Sequence, residues 1–432
     1  MSKELLAQAF AMRKQKDYAK ALAIYQPLWD EDPGQFNEWA GWSYAYCLKE
    51  TRQYLPALDA CRQLYARYPN AAMLRQLYAG CIYYTQFDGN NLAGIPVLKK
   101  AVQAMYNLSP PQQDYSLTPR AIFKLAKQLM AVIPIDWQDI ESWLQKLDPD
   151  LLNNQPFAMK MPDGKTREFA SPLEEWYSAM IKTKAGLNQP QELLTLLEAA
   201  RKRGLKWHYN NNIWFARKEA FALVQLGQKE KAEQILRTIV TQKKDWFLLN
   251  DLAELVTDTA EALQLMSTAA LSFGPLELKV KLFHNLYIRI KDNAALEDAV
   301  KKHLLLIARI RLEQGWPFTP ALEAALKNNA VDLNVVNSAQ AAYSQLKSFW
   351  QKIANEGKTI LQGIVDTILP GNQSGFVKST AGDRYYFNMR SVNQASNKIL
   401  PGAPVSFELE NGFDKKKNLA TKNAVRLILI NK

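Results

Sequence analysis

Two hydrophobic rhythms divide this chain. Up to about residue 357, apolar side chains recur at helical spacing in segments rich in Ala, Leu, Gln and Lys. That spacing gives each segment one stripe to bury and one face for water. Beyond Gly357 the pattern changes to short β-prone runs separated by Gly, Pro, Asn and Asp, the punctuation of tight turns. The predicted fold is mainly α, a long helical body followed by a small strand module. Gly357 stops the last helix, read over SAQAAYSQLKSFWQKIANEG.

The start of the body repeats itself. DYAKALAIYQPLWDEDP and QYLPALDACRQLYARYP align Tyr18 with Tyr54, Ala21 with Ala57, Tyr25 with Cys61, Leu28 with Leu64 and Pro33 with Pro69, each pair 36 residues apart. Each copy begins a helix on an aromatic residue, places Ala where another helix must approach closely, and ends before Pro. A period of this length suits a helix-turn-helix unit that buries its apolar face on the next unit. The leading helices are read at 3–16 and 37–50, with a third pair at 72–87 and 95–108. In these features the body resembles the tetratricopeptide repeat, whose usual length is about 34 residues. The resemblance implies an α-solenoid with a concave face for a protein or peptide partner.

Four regions follow from the pattern: helical repeats over 1–110, an irregular helical connector over 111–171, a second helical-repeat region over 172–357, and the strand module over 358–432. The connector holds two helices, AIFKLAKQLMAVI and DWQDIESWLQKL. It then runs into FAMKMPDGKTREFASP, which reads either as a turn-rich connection or as a β-hairpin or loop against the solenoid. Farther on, Leu226-Gly227 ends one helix and Lys229 starts the next, with Ala232 at its small packing position. Trp39, Trp42, Trp214 and Trp246 recur at helix starts and read as repeat packing. The run ARKRGLKWH is the most basic in the body. Its Arg201, Lys202, Arg203 and Lys206 form a secondary basic patch able to meet phosphate, with a solvated helix end as the plainer reading.

The strand module carries charge out of proportion to its length. Residues 352–432 hold 12 Lys or Arg against 6 Asp or Glu, half of the chain's net +12, which favours an anionic partner at this end. Five strands are predicted, at 359–368, 374–379, 383–388, 403–410 and 423–430, with turns at Pro370-Gly371-Asn372, Ala381-Gly382-Asp383, Pro401-Gly402 and Asn411-Gly412. Five short strands around an irregular crossing describe a small five-stranded OB-like barrel.

Here the residues resemble the cold-shock domain and its S1-like relatives. Gly363-Ile364-Val365 matches that family's first strand, Gly375-Phe376-Val377 its second, and Tyr385-Tyr386-Phe387 its aromatic third. Gly402-x-x-Val405-x-Phe407 and the segment from Ala420 to Val425 match the closing strands. The resemblance implies single-stranded RNA or DNA bound across strands two and three. Phe376, Tyr385 and Phe387 would stack on bases, and Lys378, Arg384, Arg390, Lys415, Lys416, Lys417 and Lys422 would meet phosphates. Period-two alternation puts Tyr385 and Phe387 on one face and Tyr386 on the other. The first strand lacks the family's Trp, and Asn388 stands where a histidine is common, so the stacking set is reduced.

Chemistry-bearing motifs are scarce. His208, His284 and His303 are far apart, and Cys47, Cys61 and Cys81 have no CxxC spacing, so they read as buried small hydrophobes rather than metal ligands. No Walker loop, dinucleotide fingerprint or nucleophile elbow occurs. Glu174, Glu175, Asp251 and Glu254 read as solvated faces or caps. No cofactor, metal or catalytic residue is expected. The opening MSKELLAQAF lacks the features of a secretory signal, and no apolar stretch approaches membrane-spanning length; a cytoplasmic setting with no membrane partner is expected. The leading expectation is a non-enzymatic adaptor, with repeats for an unidentified protein and a barrel for single-stranded nucleic acid. The alternative is a scaffold whose barrel caps the solenoid or docks protein, with Trp350 and the final helix supplying the contact.

Overall fold

The two matched segments fold alike in the computed structural model of the chain, which describes residues 2–88, 92–112, 115–357, 360–389, 392, 399–414 and 419–430. Helix α1 (Ser2–Lys14) packs on α2 (Tyr18–Glu31), and α3 (Glu38–Glu50) on α4 (Tyr54–Arg67). Asp17 and Asn37 accept hydrogen bonds from the backbone N–H groups of Lys20 and Ala40, satisfying donors that every helix start leaves open. Tyr25 and Cys61 differ in size, yet both are fully buried, as are Ala21, Ala57 and Leu64. All three cysteines are free, buried thiols, as their spacing implied. Trp39 departs from its expected packing role: it is 59% exposed.

The stack continues through α5 (Ala72–Gln86), α6 (Ile95–Leu108), α7 (Thr118–Met130) and α8 (Trp137–Leu144). The last two come from the irregular connector, but Leu125, Ile140 and Leu144 join one core with Leu98, Met105, Trp176 and Ile181. The turn-rich stretch resolves as a hairpin of β1 (Phe157–Lys160) and β2 (Thr166–Phe169), in antiparallel register, with Gly164 at positive φ in the turn. Then follow α9 (Pro172–Gly186), α10 (Pro190–Lys202), α11 (Asn211–Gln225) and α12 (Lys229–Gln242). Helices α1, α3, α5, α7, α9 and α11 each touch the next in that series. They therefore line one side of the stack, the geometry of a helical solenoid.

Residues 1–239 form one compact unit and residues 240–432 a second. The second unit begins with α13 (Trp246–Leu255), α14 (Thr259–Leu271), α15 (Val280–Ile290), α16 (Glu297–Glu313), α17 (Pro320–Asn328) and α18 (Ala339–Ala354). Gly357, at φ 71°, follows the last helix. Trp350 is fully buried in the helical core, stacked on Phe283 at 5.6 Å. It does not supply the barrel contact that the scaffold alternative called for.

Five strands complete this unit: β3 (Ile360–Ile368), β4 (Ser374–Ser379), β5 (Arg384–Asn388), β6 (Pro404–Asp414) and β7 (Leu419–Leu429). They close into a barrel in the order β3-β4-β5-β7-β6, with β6 paired back to β3. All pairs are antiparallel except β5 with β7, which is parallel. The expected Asn411-Gly412 turn lies inside β6, because the β6–β7 ladder runs on to Asp414 opposite Leu419. Val365, Val377, Phe387, Val405, Phe407 and Leu427 fill the barrel. Gly363 and Gly375 mark close backbone approach: a Cβ there would lie 2.1 Å from the Lys378 carbonyl oxygen or 2.3 Å from that of Thr367.

Candidate nucleic-acid interface

Register decides which barrel side chains meet solvent. Gly375, Val377 and Ser379 of β4 are buried, so Phe376 and Lys378 point outward. Val377 lies opposite Tyr385, and Gly375 opposite Phe387. Side chains opposite one another share a face, so Tyr385 and Phe387 turn inward. Phe387 is fully buried in the barrel core. Tyr385 is half-buried, its ring 5.9 Å from Phe407, and burial first, then Asp383, raises its pKa. The alternation expected from the sequence holds, but its parity is the reverse of the expected one. Phe387 belongs to the core rather than to a stacking surface, and the outward ring of β5 is Tyr386.

The outer face forms a compact patch. Tyr386 stands opposite Phe376, the two rings meeting edge to face at 5.8 Å. The Arg384 guanidinium lies 4.3 Å from the Phe376 ring centre. It is fixed there by Asp366 at 2.7 Å and by the Thr367 hydroxyl, to which it donates at 3.0 Å. Lys378 pairs with Arg384 on one side and Ile364 on the other, and both Lys378 and Ile364 are exposed. Exposed Lys422 precedes Asn423, the β7 partner of Tyr386. Arg390, Lys415, Lys416 and Lys417 lie outside the described residues. An exposed ring, a fixed guanidinium plane and nearby cations are the groups that stack on bases and neutralise phosphates.

The secondary basic patch is taken up internally. Arg201 pairs with Glu219, Arg203 with Asp150 and Lys206 with Glu168, and Lys202 meets Glu198 at 2.7 Å. Arg201, Arg203 and Lys206 thus join neighbouring elements, while Lys202 pairs within its own helix, and each cation already has a carboxylate partner. Beside them, Glu174 is almost fully buried rather than solvated. It accepts from the His208 backbone N–H at 2.6 Å and contacts His208 Nδ1 at 2.5 Å, while His208 Nε2 lies 2.8 Å from Glu168. Burial alone would lower the His208 pKa, but Glu174 and Glu168 outweigh it and raise it. The imidazole, with a carboxylate at each ring nitrogen, bridges α9 and β2. The sequence carries no signal of this link, since its partners lie 34 and 40 residues away.

Among the described residues, no group of three or more His, Cys, Asp or Glu is placed to hold a metal ion. No helix among them is long and apolar enough to cross a membrane.

Residues 213–349 match DUF7017, described as a domain of unknown function. No curated protein matches the chain. Among solved structures, the chain is similar to a tetratricopeptide repeat protein from Parabacteroides merdae, at 9% identity over 76% of this chain and 98% of that one, with a TM-score of 0.28. It is similar to a thermophilic TPR protein from Thermus thermophilus, at 12% identity over 71% and 100% of the two chains, with a TM-score of 0.19. It is also similar to the human IFIT1 dimer solved with PPP-AAAA, at 13% identity over 82% and 79%, with a TM-score of 0.36.

Proposed function

We propose that the chain is a non-enzymatic cytoplasmic adaptor. Its helical repeats engage a protein partner, and the outer face of β4 and β5 binds single-stranded RNA or DNA with little base selectivity. The observation that carries this reading is the outward patch of Tyr386, Phe376, Arg384 and Lys378. Tyr386 offers an edge-supported ring, Arg384 a guanidinium held over Phe376, and Lys378 an exposed cation beside them. The OB-like, cold-shock reading of the barrel draws support from its closed five-strand order and its single parallel β5–β7 pairing. Tethering such a barrel to a repeat body raises the local concentration of nucleic acid near the partner.

Fluorescent single-stranded RNA and DNA titrated into the full chain at several salt concentrations test this. Affinity is expected to fall with salt, and Lys378→Ala is expected to reduce the slope of log K against log salt by about 0.7, one phosphate's share. Tyr386→Ala is expected to weaken binding about tenfold at any salt, the scale of one lost stacking contact. Binding that ignores both substitutions in a folded chain contradicts the proposed surface.

A further inference from the structure

In the second unit, the helices and the barrel enclose a cleft of about 840 Å³, within the size range of small-molecule sites. Leu249 of α13, Leu271 of α14 and the wholly exposed Phe273 line it on the helical side, with Ile360 of β3 and Ile428 of β7 on the barrel side. Polar groups gather on α18 and β6. Lys347 and Gln351 lie four residues apart on α18, on one helix face, and Asn355 follows just past the helix end. Val405 and Phe407 fill the barrel, so Ser406, Glu408 and Glu410 of β6 turn outward to the cleft.

The barrel wall of the cleft is strained. Glu408 turns outward yet is only 7% exposed, and Arg426 pairs with it. Ala424 and Leu427 both belong to the barrel core, which leaves two residues between them where a regular strand has one. The β6–β7 register shifts at the same place, and this bulge aims Arg426 out of the barrel. Arg426 takes φ 53°, a costly conformation for a residue with a Cβ, and its buried Nε has no hydrogen-bond partner among the described residues. Strain and unmet buried donors of this kind gather at ligand sites.

Charge narrows the ligand. Five charged side chains line the cleft, and four are paired: Lys244 with Glu410 at 2.7 Å, and Arg426 with Glu408. The fifth, Lys347, has no carboxylate partner among the described residues, and its ammonium lies 5.3 Å from the centre of the Tyr343 ring. The surplus is one positive charge, with the N–H donors of Gln351 and Asn355 on the same wall. A nucleotide would bring more negative charge than one free ammonium answers. A singly charged anion with an apolar body fits both the surplus and the Leu, Ile and Phe lining.

We propose that this cleft binds a fatty-acid anion, its carboxylate at Lys347 and its chain along Leu271, Phe273, Ile360 and Ile428. The barrel wall used is β6 and β7 with the first residue of β3, and no part of the β4–β5 face.

Calorimetric titration of the full chain with dodecanoate, octanoate and dodecylammonium, each below its micellar concentration, tests this. Dodecanoate is expected to bind at a single site, at least about tenfold more tightly than octanoate, whose shorter chain has fewer methylenes to bury. It is also expected to bind more tightly than dodecylammonium, which has the same chain and the opposite charge. Lys347→Gln is expected to weaken dodecanoate about fivefold, the upper end for one exposed charge pair, without weakening dodecylammonium. Phe273→Ser is expected to weaken dodecanoate about tenfold through lost apolar contact. Both positions are exposed, so helical circular dichroism is expected to be unchanged. Amide-exchange protection is expected to rise in α18 and β6 together when dodecanoate saturates the chain. No binding of dodecanoate, or binding no tighter than that of dodecylammonium, overturns the fatty-acid assignment. Protection gained only elsewhere, or an affinity that neither substitution moves, overturns the site.

Discussion

Deep in the second unit, Trp350 donates its indole N–H to His303 Nε2 at 3.0 Å, and His303 Nδ1 meets the Ala299 carbonyl at 2.7 Å. One ring nitrogen must accept and the other donate, so His303 is neutral. Burial pushes its pKa down from 6.5 to about 4. Between those values the unfolded chain binds a proton that the folded chain does not. His303 therefore contributes stability above about pH 6.5 and loses it as pH falls toward 4, a change on the order of 3 kcal/mol. Urea unfolding of the second unit across that range, compared with His303→Gln, checks this: the wild type should lose more stability. Parallel pH profiles would show that His303 already protonates in the fold. Residue-level legibility was uneven. The repeat alignment puts Tyr25 and Cys61 at matched helix positions, and both are core residues, whereas nothing in the sequence marks Tyr386 as the outward ring. A run of three aromatics shows alternation but not parity, and parity is set by the opposite strand, where Val377 must face the core.

At the scale of elements, the hairpin β1–β2 has little core of its own. Its side chains are exposed except for a half-buried Phe169, on which the exposed Phe157 stacks at 5.1 Å. Glu168 ties it to the helices through both Lys206 and His208, and the histidine makes part of that tie depend on pH. A histidine with a raised folded pKa stabilises fully below its unfolded value near 6.5, and that contribution disappears as pH rises through the folded value. Tryptic cleavage at Lys160 and Lys165, scaled to a free peptide of the same sequence, is expected to speed up at high pH and to become pH-independent in Glu168→Gln. Equal rates at every pH would rule His208 out of the tether. In the barrel, Gly375 leaves no room for a Cβ against the Thr367 carbonyl and the Phe387 ring. Gly375→Ala is expected to cost the barrel about 1–3 kcal/mol, read as lost amide-exchange protection in β3 and β4 with the helices unaffected. Both glycines were visible in the sequence as motif positions, and Gly, Pro and Asn turns set most strand limits. The hairpin ladder past Asn411-Gly412 was not visible, because a turn dipeptide can also lie in a strand when pairing continues beyond it.

For the whole molecule, periodicity alone separated helical body from strand module, since periods of 3.6 and 2 demand different backbones. The distribution of free charge was not legible. Arg201, Lys202, Arg203 and Lys206 look like a binding patch in one dimension, but carboxylates from 4 to 53 residues away meet them in three. The adaptor reading rests on the outward patch of β4 and β5, where Tyr386, Phe376, Arg384 and Lys378 come together through strand pairing. Its central claim is that the β4–β5 face touches the bases of a single strand. The most direct measurement is photocrosslinking of the full chain to a 5-iodouridine-labelled strand of about twelve nucleotides, with the attachment site read by mass spectrometry. The account predicts attachment at Tyr386 or Phe376, lost in Tyr386→Ala/Arg384→Ala. Attachment confined to other residues, or none at concentrations where the strand binds, would contradict it.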